Sequence, residues 1–399
     1  MSARGSGEKP SIVVLHSINF EESWTKQTYL DIERKFGEEG FTVKAIPLQI
    51  PGIRTMEGFQ EKRTMILERV PVPPTLVVCI GDPSWLVARP LFDKEWKDIP
   101  SIICYARDYM YPKEEYLIDL DKNVLDTLVP ITDVVKDYNA TFIKYPVYIK
   151  QTIELIKKLQ PELTKLAFIF DRRYISQQTK ADVEAVLRKD FPGIQFEPLS
   201  TTSISTENLL DRLASFDNKT GVLYYSWYRT RKDNENRYLV DNVQKMTNSF
   251  SVPPIFTLQD VQTENGNFAG GYYVSPEDYA QVTVNTIEMI LSGKDSKEIP
   301  IQTAETPRAY LNYQHLLLHQ IDPGLYFQEP PGFLQKYKIH IISLLVILAL
   351  LITIGILRVR LFIQKQKAKD KELQIARQAQ DLNQKYQLVL KASNMMTWI

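Results

Sequence analysis

A run of 19 residues from Ile339 to Leu357 constrains this chain more than any other feature, because all but three of them are apolar or small. At about 1.5 Å per residue, a helix of this length spans roughly 28 Å, which matches a bilayer core of about 30 Å. The alternative is a buried core helix, but such helices carry more polar residues, and Pro330, Pro331 and Gly332 interrupt the chain just upstream. The run therefore predicts a transmembrane helix at 339–357.

The charges that flank this run predict its orientation. One acid, Asp370, lies among the basic residues that follow it, whereas only Lys336 and Lys338 precede it closely. The basic residues are Arg358, Arg360, Lys365, Lys367, Lys369 and Lys371. By the positive-inside tendency the C-terminal side is cytoplasmic, which places the N-terminal region on the outer side of the membrane.

The tail at 1–9 has no apolar stretch of the kind found in export signals. An exported N-terminal region needs such a signal, so we expect one to be missing upstream. The opposite orientation, against the charge rule, is the alternative.

Lys plus Arg and Asp plus Glu both total 48, so the chain has no overall positive charge of the kind that attracts nucleic acid. We therefore expect no nucleic-acid partner. Cys79 and Cys104 both lie in apolar runs, which favours small buried thiols over a disulfide.

The region before the apolar run alternates short β-branched runs with amphipathic stretches, and this alternation restarts midway. Strands followed by helices predict parallel sheets covered on both faces, here an α/β protein of two lobes, each with a doubly wound parallel sheet. The first set has strands at 11–17, 41–48, 75–82 and 99–106, with helices at 21–39, 57–69 and 83–92. The second set has helices at 147–159, 176–190, 206–215 and 233–248, with strands at 165–171, 194–200, 221–227 and 253–259.

Two segments carry a resemblance to a known family. The first is "NATFIKYPVYIKQTIELIKKLQPELTKLAFIFD" at 139–171, and the second is "PPIFTLQDVQTENGNFAGGYYVSPEDYAQVTVNTIEMILSGKDSKEIPIQT" at 253–303. Both are similar to the type I periplasmic substrate-binding proteins of ABC transporters. The resemblance implies a hinge of several crossing strands. It also implies a lobe one at 10–135 to which 266–294 returns, and a lobe two at 136–265 and 295–330.

Ligands of open parallel sheets bind beyond the carboxyl ends of the strands, so the residues just after each strand are candidates for ligand contact. Aromatic rings with a few polar groups suit a sugar, an amino acid or a similar small molecule, and the sequence does not decide among them. In lobe one the candidates are Asn19, Trp24, Gly81, Asp82, Arg107 and Tyr109. In lobe two they are Asp171, Tyr174, Ser226, Trp227, Tyr228 and Asp260.

Several of these candidates have a structural alternative. Asp82 precedes Pro83 and could cap a helix instead of contacting a ligand. Asp171 could be an ordinary turn residue. Arg107 and Arg229 could bind a ligand carboxylate or phosphate, or could form structural salt bridges.

No catalytic motif appears in the sequence, so no catalytic residue and no cofactor are predicted. His315 and His319 stand four residues apart on one helical face, where a metal pair is conceivable. Neither a cysteine nor a group of acids lies nearby, and the sequence therefore predicts no metal site.

The segment at 358–390 has the pattern of a signalling helix. Apolar residues recur at spacings of four and three, which predicts a coiled-coil seam and a parallel homodimer. They are Ile375, Ala379, Leu382, Tyr386 and Val389. A single amphipathic helix lying on the membrane surface is the alternative.

The end of the chain resembles the start of a PAS domain as found after the signalling helices of bacterial sensor kinases. The resemblance covers "QKYQLVLKASNMMTWI" at 384–399, and we expect 391–399 to be the opening of such a domain, cut short. Together these features predict the sensory part of a membrane-bound sensor histidine kinase, whose missing kinase would signal to a response regulator. The alternatives are a membrane-tethered solute-binding protein of an ABC transporter, and a receptor with a cyclase or chemoreceptor output.

Overall fold

A computed structural model describes residues 9–19, 23–118, 125–228, 240–260, 268–325 and 337–395. The chain divides into two compact units, residues 1–328 and residues 329–399. The first unit holds two six-stranded sheets, each the centre of one lobe, and the second holds one long helix.

Lobe one is built on a wholly parallel sheet with the strand order β13-β7-β4-β3-β1-β2. Its strands are β1 (Ser11–His16), β2 (Thr42–Pro47), β3 (Leu76–Ile80), β4 (Ser101–Ala106), β7 (Ala140–Lys144) and β13 (Gln302–Thr303). Its helices are α1 (Ser23–Glu38), α2 (Met56–Arg69), α3 (Asp82–Phe92), α4 (Ile131–Val135) and α9 (Pro276–Leu291). A two-stranded ribbon of β5 (Tyr109–Met110) and β6 (Val129–Pro130) extends from it.

Alternation along each strand divides the core of lobe one between the two faces of its sheet. On β1, Val13 and Leu15 belong to one buried cluster, while Ile12 and Val14 belong to the other. Because successive side chains of a strand point to opposite faces, a continuous apolar run is needed to fill both clusters. This is why the apolar runs of the sequence predicted these strands correctly.

Lobe two has the strand order β14-β12-β11-β10-β8-β9, parallel except for the antiparallel edge strand β14. Its strands are β8 (Lys165–Phe170), β9 (Gln195–Ser200), β10 (Thr220–Tyr224), β11 (Ile255–Thr257), β12 (Gly270–Tyr273) and β14 (Arg308–Leu311). Its helices are α5 (Ile149–Leu159), α6 (Tyr174–Asp190), α7 (Thr206–Ala214), α8 (Val240–Phe250) and α10 (Tyr313–Leu318).

The chain crosses between the two sheets three times: after β7, after β12 and after β13. The second crossing delivers α9 to lobe one, where it packs against α1. There the Tyr279 hydroxyl donates to the carbonyl oxygen of Ile143 on β7 at 2.9 Å. α9 therefore packs on lobe one although the strands on either side of it in the chain, β12 and β13, belong to different sheets.

The expected lobe boundaries need correction in three places, because backbone hydrogen bonding decides which sheet holds each strand. β7 pairs with β4, so lobe one extends past 135 to residue 144. β12 pairs with β11 and belongs to lobe two, although it falls within 266–294. β13 pairs with β7 and belongs to lobe one, although it falls within 295–330.

The second unit is a continuous helix, α11 (Lys338–Met395), which contains both the apolar run and the predicted signalling segment. Within the described part of the chain, it is the one helix long and apolar enough to cross a membrane. Its large apolar side chains, such as Leu345 and Ile352, are exposed. Of the predicted PAS-like segment, residues 391–395 continue this helix and 396–399 lie outside the described residues.

Candidate ligand-binding site

The turn from β3 into α3 fixes the first part of the site. Gly81 has φ +83°, and a Cβ at this position would lie 2.6 Å from the Ser17 hydroxyl oxygen. That hydroxyl donates to the Ile80 carbonyl oxygen at 2.9 Å and accepts the Ser84 N–H at 3.1 Å. The loop after β1 is thereby attached to the turn after β3, and only glycine fits at position 81. In the structure Gly81 determines the shape of this turn, and its predicted contact with a ligand stays a prediction.

Asp82 is the most unusual residue of this turn. It is 2% exposed, and neither of its carboxylate oxygens has a hydrogen-bond partner within the described chain. Burial raises the pKa of Asp82 to about 7, although the positive charge of Arg107 acts to lower it. Asp82 is the first residue of α3, and the N-cap position before it is Gly81 without a side-chain capping bond, so the capping alternative is wrong. A buried polar group without a partner is costly and calls for a functional reason.

Arg107 follows β4 and connects the two lobes. Its guanidinium donates to the Thr179 hydroxyl at 3.0 Å and lies 3.6 Å from the Asp182 carboxylate. Both partners are on α6 of lobe two. Burial raises the pKa of Asp182, and the Arg107 charge opposes that shift. Arg107 therefore forms a polar contact across the space between the sheets.

Tyr174, the first residue of α6, meets lobe one directly. Its ring centroid lies 4.5 Å from that of Tyr111, and Tyr174 belongs to the same buried cluster as Met110 of lobe one. Tyr174 is 3% exposed, and its hydroxyl has no hydrogen-bond partner within the described chain. Lobe two thus contributes a second buried polar atom without a partner.

Asp171, just after β8, has the opposite environment to Asp82. Its carboxylate accepts hydrogen bonds from the backbone and guanidinium of Arg173, from Ser176 at 2.8 Å and from Ser226. Burial alone raises the pKa of Asp171, but the Arg173 charge and the hydrogen bonds outweigh it, so this pKa lies below its usual range. Asp171 and Ser226 therefore hold the strand ends of β8 and β10 together, and their oxygens are already engaged.

The aromatic residues after β10 are in two different settings. The Trp227 ring is 3% exposed in the core of lobe two, and its Nε1–H donates to the Thr206 hydroxyl at 3.1 Å. This corrects the expectation that Trp227 lines the cleft: its indole N–H has a partner in α7, which favours a packing role. The half-buried Tyr228 ring has the Arg173 guanidinium 5.5 Å from its centroid.

The remaining candidates lie in several different settings. Tyr109 is 50% exposed on the ribbon, and Asn19 is half-buried after β1. Asp260 is half-buried, and its charge, after the larger influence of burial, raises the pKa of Tyr145. Trp24 begins α1, but its side chain lies outside the described residues, as does the whole of Arg229.

Sequence reasoning missed four residues of this region: Tyr111, Tyr145, Arg173 and Thr179. Tyr145 directly follows β7. The rule that ligands bind beyond the carboxyl ends of the strands, here called the strand-end rule, would have selected it if β7 had been recognised as a strand. Thr179 lies inside α6, so only the packing of the two lobes reveals its role.

Comparison with known proteins gives matches in structure alone. No protein-family profile matches the sequence, and no curated protein matches it. A conserved domain protein from Vibrio cholerae matches with a TM-score of 0.55 and 12% identity over 79% of this chain and 95% of that chain. The ABC domain from Streptococcus pneumoniae in complex with L-Trp matches with a TM-score of 0.54 and 19% identity over 79% of this chain and 95% of that chain.

A third match is the ligand-free, open structure of a substrate-binding protein with adhesive properties from Clostridium difficile. Its TM-score is 0.50 and its identity 14%, over 82% of this chain and 97% of that chain. The chain has the type I periplasmic-binding-protein fold. The topology agrees with this fold. Two sheets, parallel apart from the edge strand β14, are joined by three crossings, and Arg107 of lobe one contacts α6 of lobe two.

Proposed function

We propose that the N-terminal unit binds a small molecule between its two lobes. The observation that carries this proposal is that two of the buried polar groups without partners in the described chain lie where the lobes meet. They are the Asp82 carboxylate in lobe one, which the charge of Arg107 influences, and the Tyr174 hydroxyl in lobe two, whose ring contacts Tyr111. Buried polar groups are normally hydrogen-bonded, and a ligand with several polar atoms would satisfy both. The structural neighbour in complex with L-Trp and the substrate-binding protein of similar fold support a small molecule as the ligand class.

Closure of the lobes is the change that a ligand would favour. Arg107 already contacts Thr179 and Asp182 across the cleft, so closure has polar contacts of its own. A ligand shifts this equilibrium only by its difference in affinity for the two arrangements. A switch from almost wholly open to almost wholly closed needs about 5.5 kcal/mol of such difference.

The finer proposal is transmembrane signalling through α11. This helix runs without a break from the apolar run into the predicted coiled-coil segment, so a displacement at one end can be carried to the other. The basic residues after Leu357 favour a cytoplasmic C-terminal side and a periplasmic ligand-binding unit in a bacterial inner membrane. The PAS-like end favours a sensor histidine kinase as the full receptor, acting on a response regulator.

A membrane-tethered solute-binding protein of an ABC transporter is the second candidate, and the fold supports it equally. The coiled-coil seam favours the sensor, because delivery of solute to a permease needs no paired cytoplasmic helix. A cyclase or chemoreceptor output is compatible with the same seam.

The ligand is tested on the full chain in lipid nanodiscs. Thermal-shift screening against sugars and amino acids is followed by calorimetry of the best compound on the wild type, Asp82→Asn and the exposed control Asp133→Asn. We expect Asp82→Asn to weaken binding about tenfold or more, since it replaces one carboxyl oxygen by an NH₂ group, which cannot accept a hydrogen bond from the ligand. Asp133→Asn should bind as the wild type does. Equal affinities in all three would contradict a role for Asp82 in the site.

A further inference from the structure

α10 and its C-cap carry two histidines on one face, and neither histidine belongs to the proposed solute site. The helix begins after Asn312, whose side-chain oxygen accepts a hydrogen bond from the backbone N–H of His315 at 3.0 Å. His315 lies inside the helix and His319 is its C-cap, four residues later. Their ring centroids are 4.7 Å apart with an interplanar angle of 68°. Residues i and i+4 of a helix are neighbours, so the spacing alone brings the two rings together.

The tautomer of His319 follows from its contact with lobe two. Its Nδ1 lies 2.9 Å from the Val252 carbonyl oxygen, which can only accept a hydrogen bond. Nδ1 therefore carries the proton, and Nε2 keeps its lone pair. Metal-binding histidines commonly have this arrangement, with the second ring nitrogen donating to a carbonyl that fixes the ring.

His315 supplies the second lone pair. The residue is 6% exposed, and its Nε2 has no hydrogen-bond partner within the described chain. A buried ring nitrogen without a partner, next to a second imidazole, is the observation that points to a ligand.

We propose that His315 and His319 form a binding site for one divalent transition-metal ion such as Zn²⁺, Ni²⁺ or Cu²⁺. Two imidazoles that share an ion at Zn–N distances of about 2.0–2.1 Å have ring centroids about 5 Å apart, close to the separation observed here. Nitrogen ligands favour these ions over Mg²⁺ and Ca²⁺, which prefer oxygen.

The site has two protein ligands and therefore open coordination positions. Among the described residues no group of three or more His, Cys, Asp and Glu side chains could hold a metal ion. We therefore expect weaker binding than in a structural zinc site with four protein ligands. The spacing of the two histidines is visible in the sequence, but the carbonyl partner of His319 and the burial of His315 appear only in the structure.

The position of the site suggests what the metal would do. α10 follows the edge strand of lobe two, and His319 also reaches the segment just before β11 through Val252. A bound ion would fix the ring of His319 and with it the hydrogen bond that joins α10 to the segment before β11. Metal binding would then be a second input, separate from the solute site.

The test is metal titration of the full chain, without a histidine tag, in nanodiscs. Calorimetry with ZnCl₂ should show saturable binding that His319→Ala and His319→Gln each weaken about tenfold or more. His340→Ala removes an exposed histidine outside the pair and should leave the affinity unchanged. Thermal unfolding without metal verifies that the variants fold.

Cu²⁺ bound at the same site gives an independent spectroscopic measure. Electron paramagnetic resonance of the wild type should show coupling to two imidazole nitrogens, and His319→Ala should retain one. No saturable Zn²⁺ binding, unchanged affinity in both His319 variants, or a single coupled nitrogen in the wild type would each overturn the site. None of these results would bear on solute binding at Asp82.

Discussion

Asp82 and Asp171 occupy similar positions, each just beyond the carboxyl end of a strand in the middle of its sheet, yet their carboxyl groups differ in chemistry. Asp171 accepts hydrogen bonds from Arg173, Ser176 and Ser226, and its pKa lies below the usual range. Asp82 has no hydrogen-bond partner, and its pKa is raised to about 7 by burial. Environment thus separates a carboxylate that organises the protein from one that is available to a ligand.

The raised pKa of Asp82 predicts a specific dependence of stability on pH. In the unfolded chain the group ionises near pH 3.8, but in the folded protein it keeps its proton until about pH 7. The folded state therefore binds more protons between these values, so the free energy of unfolding falls as pH rises through this window, by roughly 4 kcal/mol in total. Asp82→Asn removes this contribution.

We therefore expect the stability advantage of Asp82→Asn over the wild type to grow between pH 4 and pH 7. Thermal unfolding of both proteins, without ligand, at several pH values measures this difference. A difference that stays constant over the window would mean that the carboxyl group titrates normally.

Asp171→Asn is expected to lower the free energy of unfolding, in contrast to Asp82→Asn. Asp171→Asn leaves the Arg173 guanidinium without its charged partner, and breaking a buried pair in this way typically costs about 3–5 kcal/mol. Because Arg173 is partly exposed, we expect the lower end of this range. The matched control is Asp190→Asn, which removes an exposed ion pair with Lys150 and should cost less than about 1 kcal/mol. Similar unfolding midpoints for the two variants would contradict the organising role of Asp171.

At the scale of the element, the apolar residues at coiled-coil spacing on α11 predict that the helix pairs with a second copy. The seam residues Ile375, Leu382, Tyr386 and Val389 are each at least 65% exposed in the single chain. A row of apolar side chains at coiled-coil spacing is stabilised when a second copy of the helix covers it. The exposed row is therefore the basis for expecting a parallel homodimer.

Disulfide cross-linking tests this pairing. Single cysteines at Ile375 and Leu382 should cross-link readily under mild oxidation in membranes, because in a parallel pair each faces its own copy. Gln378→Cys, placed off the seam, should cross-link much more slowly, and the native Cys79 and Cys104 are buried. Equal rates at all three positions would favour a single helix lying on the membrane surface.

At the scale of the whole molecule, the sequence predicted β1–β4 and β8–β11 but missed β7, β12 and β13. The run 165–171 became β8 (Lys165–Phe170), since a parallel strand covered on both faces must be apolar throughout. β12 contains Gly270 and Gly271, where a Cβ would lie about 2 Å from a neighbouring carbonyl oxygen. β13 has only two residues. Neither carries an apolar pattern, so the assignment of the crossing segments to lobes required the hydrogen bonds.

The candidate site was predictable in position but less so in detail. The strand-end rule selected Asp82, Arg107 and Tyr174 as ligand contacts, which stay predictions; in the structure Arg107 and Tyr174 contact the opposite lobe. It also selected Trp227, which the packing of α7 draws into the core of lobe two. Whether a strand-end side chain faces the cleft or the core depends on its neighbours in space, and one sequence does not contain that information.

The central claim, that solute binding outside the membrane alters a paired helix inside it, is tested most directly by cross-linking in right-side-out membrane vesicles. The measurement is the cross-linking rate of Leu382→Cys before and after the solute found by screening is added to the outside. We predict a rate that changes with solute, and no change when Asp82→Asn is also present. A solute that binds with full affinity and leaves the rate unchanged would contradict the account.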